Sequence, residues 1–560
     1  MIKKLLGKLG NFIEKAENTD LSFWRGAFLL FILMFFRTFL ENYANSANLY
    51  HMSGIIDTFF TYPLWFSIIF LSIIIVARIL TKEKIEKVGK FVALCSFGIV
   101  IPPIVDLIVN KTHQIPYVFI SGNYSELFKS FFTYFGGGLV GTGIKTEIVV
   151  ALTGLGIYIF LKTKKIKKSV LGILILYVIV FMMSAIPTLI FDIQNKITHE
   201  YPTVNESNIV DFWYNKEPTD SVTSNRTFIL EHNDYIQPNN YTPFELHILN
   251  QNSLTLSIVF LIINVILLFW CLFLYSSKKF FAVLKNFRYV RIIHGFILIS
   301  LGIYLGSGIL EKNPVASLFD LVSFVSLFLS FLFAWLFAVW ENDEVDIKID
   351  QISNQSRPLA QPEPVISRKE WTNLKYLFLF CSLSFAFLDG LYSFIFILLF
   401  IFIYHIYSTY PFRFKRFLGI SSLLVALNML ILIWMGFFLV IGTENLSTFR
   451  IKDSFMILVI FLLVENGKNI KDIEGDRKEG IKTLPVILGE KKGKIVVGCL
   501  LFLGSLLVPF IFYLNLHTLL LAIFFGLIFF FLTVRKNYVE KYLFITYFLY
   551  ALTFFVFINW

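Results

Sequence analysis

Asn342-Asp343-Glu344-Val345-Asp346-Ile347-Lys348-Ile349-Asp350 follows directly on the apolar run 321–340. Asn342, Asp346 and Asp350 recur at every fourth position, a spacing that stacks them on one slowly drifting helix face. Carboxylates stacked in this way repel one another unless something cationic lies between them. A divalent cation that also carries a phosphate ligand meets that need. Far downstream, Asn469-Ile470-Lys471-Asp472-Ile473-Glu474-Gly475-Asp476-Arg477-Lys478 repeats the device: Asp472 and Asp476 are again four apart and again just past an apolar run. Two acidic faces at the ends of two apolar helices point to one shared site.

The rest of the chain sets the class. Of its 560 residues 57% are hydrophobic, and the mean hydropathy is +0.72. A water-soluble protein of this size could not cover so much apolar surface, which makes this an all-α polytopic membrane protein. The net charge is +11, with 49 Lys and Arg against 38 Asp and Glu. The excess lies in short loops between apolar runs, as the positive-inside rule requires, and no basic soluble domain is present that would bind nucleic acid. Cys95, Cys271, Cys381 and Cys499 are scattered singly in apolar runs, with neither disulfide nor metal spacing. The charged, amphipathic segment 1–18 lacks the short apolar core and cleavage site of a signal peptide.

Fifteen apolar runs of spanning length fall near 24–40, 60–79, 91–110, 146–162, 169–191, 256–276, 291–311, 316–340, 372–388, 390–407, 417–441, 452–466, 494–514, 517–534 and 541–559. With fifteen spans the basic segments 3–8, 82–90, 162–168, 278–291, 348–369, 413–416, 468–494 and 535–541 all fall on one side. That predicts an N-inside, C-outside topology with both aspartate motifs on the cytoplasmic side, as in a prokaryotic cell membrane. The polar segment 196–255, with glycosylation patterns at Asn205 and Asn225, falls outside. Arg37 with Glu41, Asp106 and Glu147 are ionisable groups inside apolar runs, read as pairs or helix-end residues. Gly136 to Gly141 matches GxGxxG without a preceding strand, and 489–494 falls one residue short of a phosphate-binding loop. Neither is read as a nucleotide site.

The two acidic clusters also carry a family resemblance. Asn342-Asp343-x-x-Asp346-x-x-x-Asp350, followed by Arg357-Pro358-Leu359, resembles the first aspartate-rich motif of the UbiA superfamily of intramembrane prenyltransferases. Asp472-Ile-Glu-Gly-Asp476-Arg-Lys-Glu-Gly480-Ile-Lys-Thr483-Leu484-Pro485 resembles the second. Between them, Tyr407-Ser408-x-x-Pro411-x-Arg413-x-Lys415-Arg416 resembles the loop after the family's fourth helix. The resemblance covers roughly 288–560. It implies a nine-helix prenyltransferase bundle over 281–560, preceded by an N-terminal domain of about six spans over 1–280 to which it assigns no role.

The implied reaction moves an isoprenoid chain from a prenyl diphosphate donor to a lipophilic acceptor within the lipid bilayer, either an aromatic or quinone precursor or a glycerol lipid. Loss of diphosphate leaves an allylic cation, so the barrier is mostly charge separation and falls when cations hold the leaving group. Mg²⁺, an octahedral oxygen binder that shares ligands between carboxylate and phosphate, suits that task. Asn342, Asp346 and Asp350 are assigned to one ion, and Asp472 and Asp476 to a second; the four aspartates are the candidate catalytic carboxylates. Asp343, about 100° off their face, is expected to act behind it. Glu474 points away and is read as a solvated charge. Arg357, Arg413, Lys415, Lys471 and Lys482 are candidate diphosphate donors, with Arg357 and Lys415 at motif positions; Tyr407, Ser408 and Asn342 join them as diphosphate-side residues. His294 and His405 are read as structural or interfacial. A terpene-cyclase-like or lipid-elongating member of the superfamily is the alternative enzyme, and a lipid-handling or transport protein the alternative from another class.

Overall fold

The computed structural model describes residues 2–44, 57–109, 124–136, 142–198, 251–311, 314–315, 317–353, 357–442, 448–471, 473–478, 480–512 and 514–558. The polar stretch 199–250 with its glycosylation patterns, residues 137–141 of the glycine-rich motif and Asp472 lie outside the described residues, as do the side chains of Glu41, Asp106 and Asp476. Among the described residues there are helices and turns and no strand. Each of the fifteen apolar runs is helical over most of its described length, and thirteen helices are long and apolar enough to cross a membrane. The other two runs form Phe23–Ala44 and Ile451–Val464. The latter has 14 residues, about 21 Å at the helical rise, and continues as a 3₁₀ segment, Glu465–Ile470.

The chain divides into two compact units, one of residues 1–281 with 315–325, the other of 282–314 with 326–560. The first contains α1 (Ile2–Glu17), α2 (Phe23–Ala44), α3 (Tyr62–Thr81), α4 (Ile85–Cys95), α5 (Ile101–Val109), α6 (Tyr124–Phe132), α7 (Thr142–Thr163), α8 (Ile166–Thr198) and α9 (Gln251–Tyr275). Its core gathers Trp65, Phe66, Tyr158, Ile159, Phe191 and Phe260. Charges buried there are matched in place. Arg37, fully buried, donates to Glu147 at 2.5 Å and to the Ile99 carbonyl at 2.9 Å, and lies 4.5 Å from the Phe66 ring centroid. Glu17 accepts from Tyr158 at 2.9 Å and Lys162 at 2.7 Å. In an apolar medium an ion stripped of such partners would cost several kcal/mol, on the order seen for broken buried pairs.

After α10 (Ser277–Lys285), the second unit contains α11 (Tyr289–Leu310), most of α12 (Leu318–Val345), α13 (Ile347–Ser353), α14 (Arg368–Asp389), α15 (Leu391–Ser408), α16 (Ile420–Ile441), α17 (Ile451–Val464), α18 (Ile473–Lys478), α19 (Leu484–Leu488), α20 (Glu490–Leu507), α21 (Pro509–Phe512), α22 (Leu516–Val534) and α23 (Glu540–Ile558). Lipid gives helices no hydrophobic reason to associate, so close packing has to supply the attraction. The α11–α16 crossing does this with glycine on both sides. A Cβ built on Gly302 would lie 2.0 Å from the Ile433 carbonyl oxygen, and one on Gly436 would lie 2.0 Å from that of Ile299. The α20–α22 pair repeats the device more loosely at Gly498 and Gly526, which face Phe530 and Ser505. Ser367 and Glu370 form a capping box that starts α14, and Asn515 and Thr518 form one that starts α22.

Side-chain bonds tie alternate helix ends of this unit together. Arg288 before α11 meets Asp343 near the end of α12. Arg413 and Lys415, between α15 and α16, meet Asp346 just past α12. Lys471, beyond α17, shares Glu540 of α23 with Arg291 of α11. One end of the bundle thus collects the polar motifs, while Phe402, Phe455, Phe524 and Phe531 along the helices are exposed as a lipid-facing surface requires. Glu311, exposed at the far end of α11, and Lys478, exposed at the motif end, are therefore expected on opposite sides of a membrane. Cysteines placed at these two positions, with the native cysteines replaced, should react with an impermeant thiol reagent from opposite faces; labelling of both from one face would overturn this topology.

Candidate active site

The site starts from how α12 ends. Trp340 and Trp371 stack at 4.8 Å between centroids with 19° between planes, and the Trp371 indole donates to the Trp340 carbonyl at 3.1 Å. Both are fully buried. This pair fixes the last turn of α12 against α14 immediately before Asn342. The regular helix breaks at Asp346, yet the Asp346 amide still donates to the Asn342 carbonyl and the Asp350 amide to that of Asp346, each at 2.9 Å. The four-residue register therefore runs through the break, and Asn342, Asp346 and Asp350 line one cavity as their spacing predicts.

Basic side chains from three loops meet these carboxylates. The Asp346 carboxylate accepts from Arg413 at 3.0 Å and from Lys415 at 2.5 Å, and the Lys415 ammonium also reaches Asn342 Oδ1 at 3.3 Å. Arg357 bridges Asp350 and Asp343, at 3.1 Å from the latter. Asp343, 1% exposed, also accepts from Asn286 at 3.0 Å and Arg288 at 2.5 Å, and is not part of the cavity wall. It lies behind the wall, on the side its angular offset suggested, and pairs there with two arginines. Arg413, with φ of 42°, is buried over Tyr410 at 5.2 Å from its ring centroid, and likewise lies behind the wall, holding Asp346. Burial works against the charge on Arg357, but Asp343 and Asp350 outweigh it and raise its pKa above the ordinary arginine value. Burial wins at Lys415, whose pKa falls below the usual lysine range despite Asp346 beside it.

The cavity has a volume of about 820 Å³. Arg288, Arg357, Tyr407, Ser408 and Lys415 join the motif residues on its polar side; its other walls carry Phe331, Trp335, Phe400, Tyr404, Met429, Leu432, Leu501, Phe529 and Tyr550. The sequence, 18% aromatic throughout, could not single out these rings. Lys471 lines the cavity too, but on Glu540 at 2.6 Å and 45% exposed, apart from the Asp346 cluster. Glu474 is exposed yet also borders the cavity, and His294 forms part of its wall beside Tyr547, 5.0 Å between ring centroids. Lys482 is exposed and His405 pairs with Glu341 at 3.0 Å; neither lines the cavity. Asn286, Arg288, Arg291 and Glu540 were not singled out from the sequence. The two arginines belong to the basic segment 278–291, where a topology signal hides a functional one.

The second motif is described only in part. Asp472 and the side chain of Asp476 lie outside the described residues, and among those described no group of three or more His, Cys, Asp or Glu is gathered to hold a metal. The oxygen set of Asn342, Asp346 and Asp350 nevertheless suits a hard divalent cation. An ammonium already sits between two of those oxygens, which shows that the spot favours positive charge.

Residues 314–551 match the UbiA prenyltransferase family. This region is a UbiA prenyltransferase family domain. Helix α11, which supplies Arg291 and half of the glycine crossing, lies just before the matched part of the UbiA domain. A digeranylgeranylglyceryl phosphate synthase of Methanosphaera stadtmanae is 30% identical over 185 residues, which are 32% of this chain and 64% of the relative. The enzyme of that name from Thermococcus gammatolerans is 35% identical over 157 residues, 28% of this chain and 53% of the relative. The chain thus spans somewhat over half the length of these curated relatives. The solved structure of a UbiA homologue from Archaeoglobus fulgidus bound to GPP and Mg²⁺ is 20% identical, covering 50% of this chain and 98% of that one, with a TM-score of 0.40.

Proposed function

We propose that the chain is an integral membrane prenyltransferase that transfers an isoprenoid chain from a prenyl diphosphate to a lipophilic acceptor. One observation carries the reading: a single cavity joins an interleaved array of carboxylates and cations to a deep apolar and aromatic chamber. That is the shape of a ligand with a multiply charged head and a long hydrocarbon tail. Arg357, Lys415 and Arg288 meet the diphosphate oxygens, with Tyr407 and Ser408 beside them. Asn342, Asp346 and Asp350, with a second set at Asp472 and Asp476, would hold Mg²⁺, which would supply positive charge against the leaving diphosphate. The allylic C–O bond breaks with its electron pair leaving on the diphosphate, the acceptor's nucleophilic atom bonds to the allylic carbon, and a proton is released. Aromatic faces around the chamber stabilise the cationic carbon and keep water from capturing it. The names of the relatives favour an acceptor of the glycerol-phosphate lipid type. The distribution of basic loops favours a cytoplasmic motif face in a prokaryotic cell membrane.

The test is release of diphosphate from a prenyl diphosphate by the full-length protein, supplied with an acceptor-containing membrane extract. EDTA is expected to abolish release and Mg²⁺ to restore it, with a prenylated lipid appearing by mass spectrometry. Absence of release from every prenyl donor tried, with Mg²⁺ present, would overturn the reading.

A further inference from the structure

Protein cations already occupy the carboxylates of the first motif. Asp346 is held by Arg413 through one oxygen and by Lys415 through the other, and the Lys415 ammonium also reaches Asn342 Oδ1. That ammonium lies between two oxygens that a divalent cation at this motif would share. We propose that Lys415 is the exchangeable counter-ion of the metal site: its ammonium holds Asn342 and Asp346 until the metal arrives, then turns to the donor's diphosphate, so that metal and diphosphate bind interdependently. The proposal rests on the prenyl-diphosphate reading above.

Lys415 is the cation free to exchange because its neighbours are fixed. Arg357 is shared between Asp343 and Asp350, and Arg288 is held by Asp343. Arg413 has its backbone in a left-handed conformation, its ring partner in Tyr410, and a hydrogen bond to the Tyr410 hydroxyl at 2.8 Å. Lys415 is a compact point charge on a flexible four-carbon stem, carried by the short segment Phe414–Arg416. The charge balance points the same way. Among the described side chains the cluster has three carboxylates, Asp343, Asp346 and Asp350, against four cations, Arg288, Arg357, Arg413 and Lys415. A bare divalent cation gains little by entering such a cluster. A divalent cation arriving with a diphosphate brings net negative charge and offers the displaced ammonium a new partner. Two ligands that each favour the same rearrangement must strengthen each other's binding by one common factor.

Mn²⁺ binding to the full-length protein, read from the electron paramagnetic resonance of free Mn²⁺ at buffered concentration, tests this with and without inorganic pyrophosphate. The native protein should bind Mn²⁺ at least about tenfold more tightly when pyrophosphate is present, within the usual range of such couplings. Lys415→Gln should bind Mn²⁺ alone about tenfold more tightly than the native protein, and pyrophosphate should add little, because the competing ammonium is gone. Lys415→Arg, which keeps a cation there, should retain most of the coupling. Thermal unfolding without metal checks that each variant is folded. Native Mn²⁺ affinity that ignores pyrophosphate overturns the proposal without need of any variant. So does a folded Lys415→Gln whose Mn²⁺ affinity and coupling equal the native values. In both cases diphosphate release from a prenyl donor, assayed separately, tells whether the functional reading survives. Failure of the native protein to bind Mn²⁺ even with pyrophosphate would remove the metal itself, and this proposal with it.

Discussion

Asp346→Asn is expected to lower diphosphate release by at least about a hundredfold, the scale of losing one important electrostatic contact in a transition state. The substitution keeps side-chain volume and one acceptor oxygen but removes the charge that faces the cavity. Its effect on folding is a separate quantity, measured apart from turnover. Asp346 is clamped between Arg413 and Lys415, so the variant loses part of two charge-assisted bonds, a cost of about 1–3 kcal/mol. Glu344→Gln is the matched control from the same turn: Glu344 is exposed, pairs with Lys375 at 2.6 Å and does not line the cavity. It should retain near-native turnover. If the motif carboxylates served only to hold basic loops, Asp346→Asn would lose activity only in proportion to its loss of folded protein. Full specific activity per folded molecule in this variant would sink the assignment.

The second large effect concerns packing. Gly302→Ala adds a single methyl, but its carbon would sit 2.0 Å from the Ile433 carbonyl oxygen and 2.8 Å from the Phe437 amide nitrogen. Those are backbone atoms of a buried helix and cannot rotate away, so α11 and α16 must separate along the whole crossing. The expected cost is about 3 kcal/mol or more, at the top of the range for overpacked sites. Gly436→Ala should behave alike, because its Cβ would strike the Ile299 carbonyl from the other side. Gly308, on the same helix, has nothing within 4 Å of a built Cβ, and Gly308→Ala should be neutral or slightly stabilising. Fluorescence-detected gel filtration and thermal unfolding would separate the three; a native melting profile for Gly302→Ala would refute the close crossing.

Much of this was legible before any coordinates. Runs of apolar residues long enough to span a bilayer can do little but form helices there, because the backbone has no other way to satisfy its polar groups. The first motif was legible for the same kind of reason: a four-residue repeat fixes a face, and Asn342, Asp346 and Asp350 share one. What pairs across the bundle was not. Arg37 stands four residues before Glu41, whose side chain lies outside the described residues, but no spacing in the sequence points to the bond Arg37 makes with Glu147, 110 residues away. Lys471 was grouped with the diphosphate donors by its place beside the second motif, but it joins Glu540, which starts the last helix. Glu474 was turned away on a helical wheel, yet the chain enters a short helix, Ile473–Lys478, whose placement depends on its packing. Periodicity reports which residues share a face of one element; it says nothing about which element that face will meet.

The glycine crossing also bears on what can be inherited. The family match begins at residue 314, whereas the backbone contact at the centre of the bundle is made by a helix that ends at Leu310. A gene fragment cut at the family boundary would encode the carboxylates and the loop lysine, but would leave out Arg288, Arg291 and the partner that Gly436 is shaped to receive. The smallest piece of this gene that keeps the crossing whole therefore starts near codon 282, well upstream of the stretch by which its kinship is recognised.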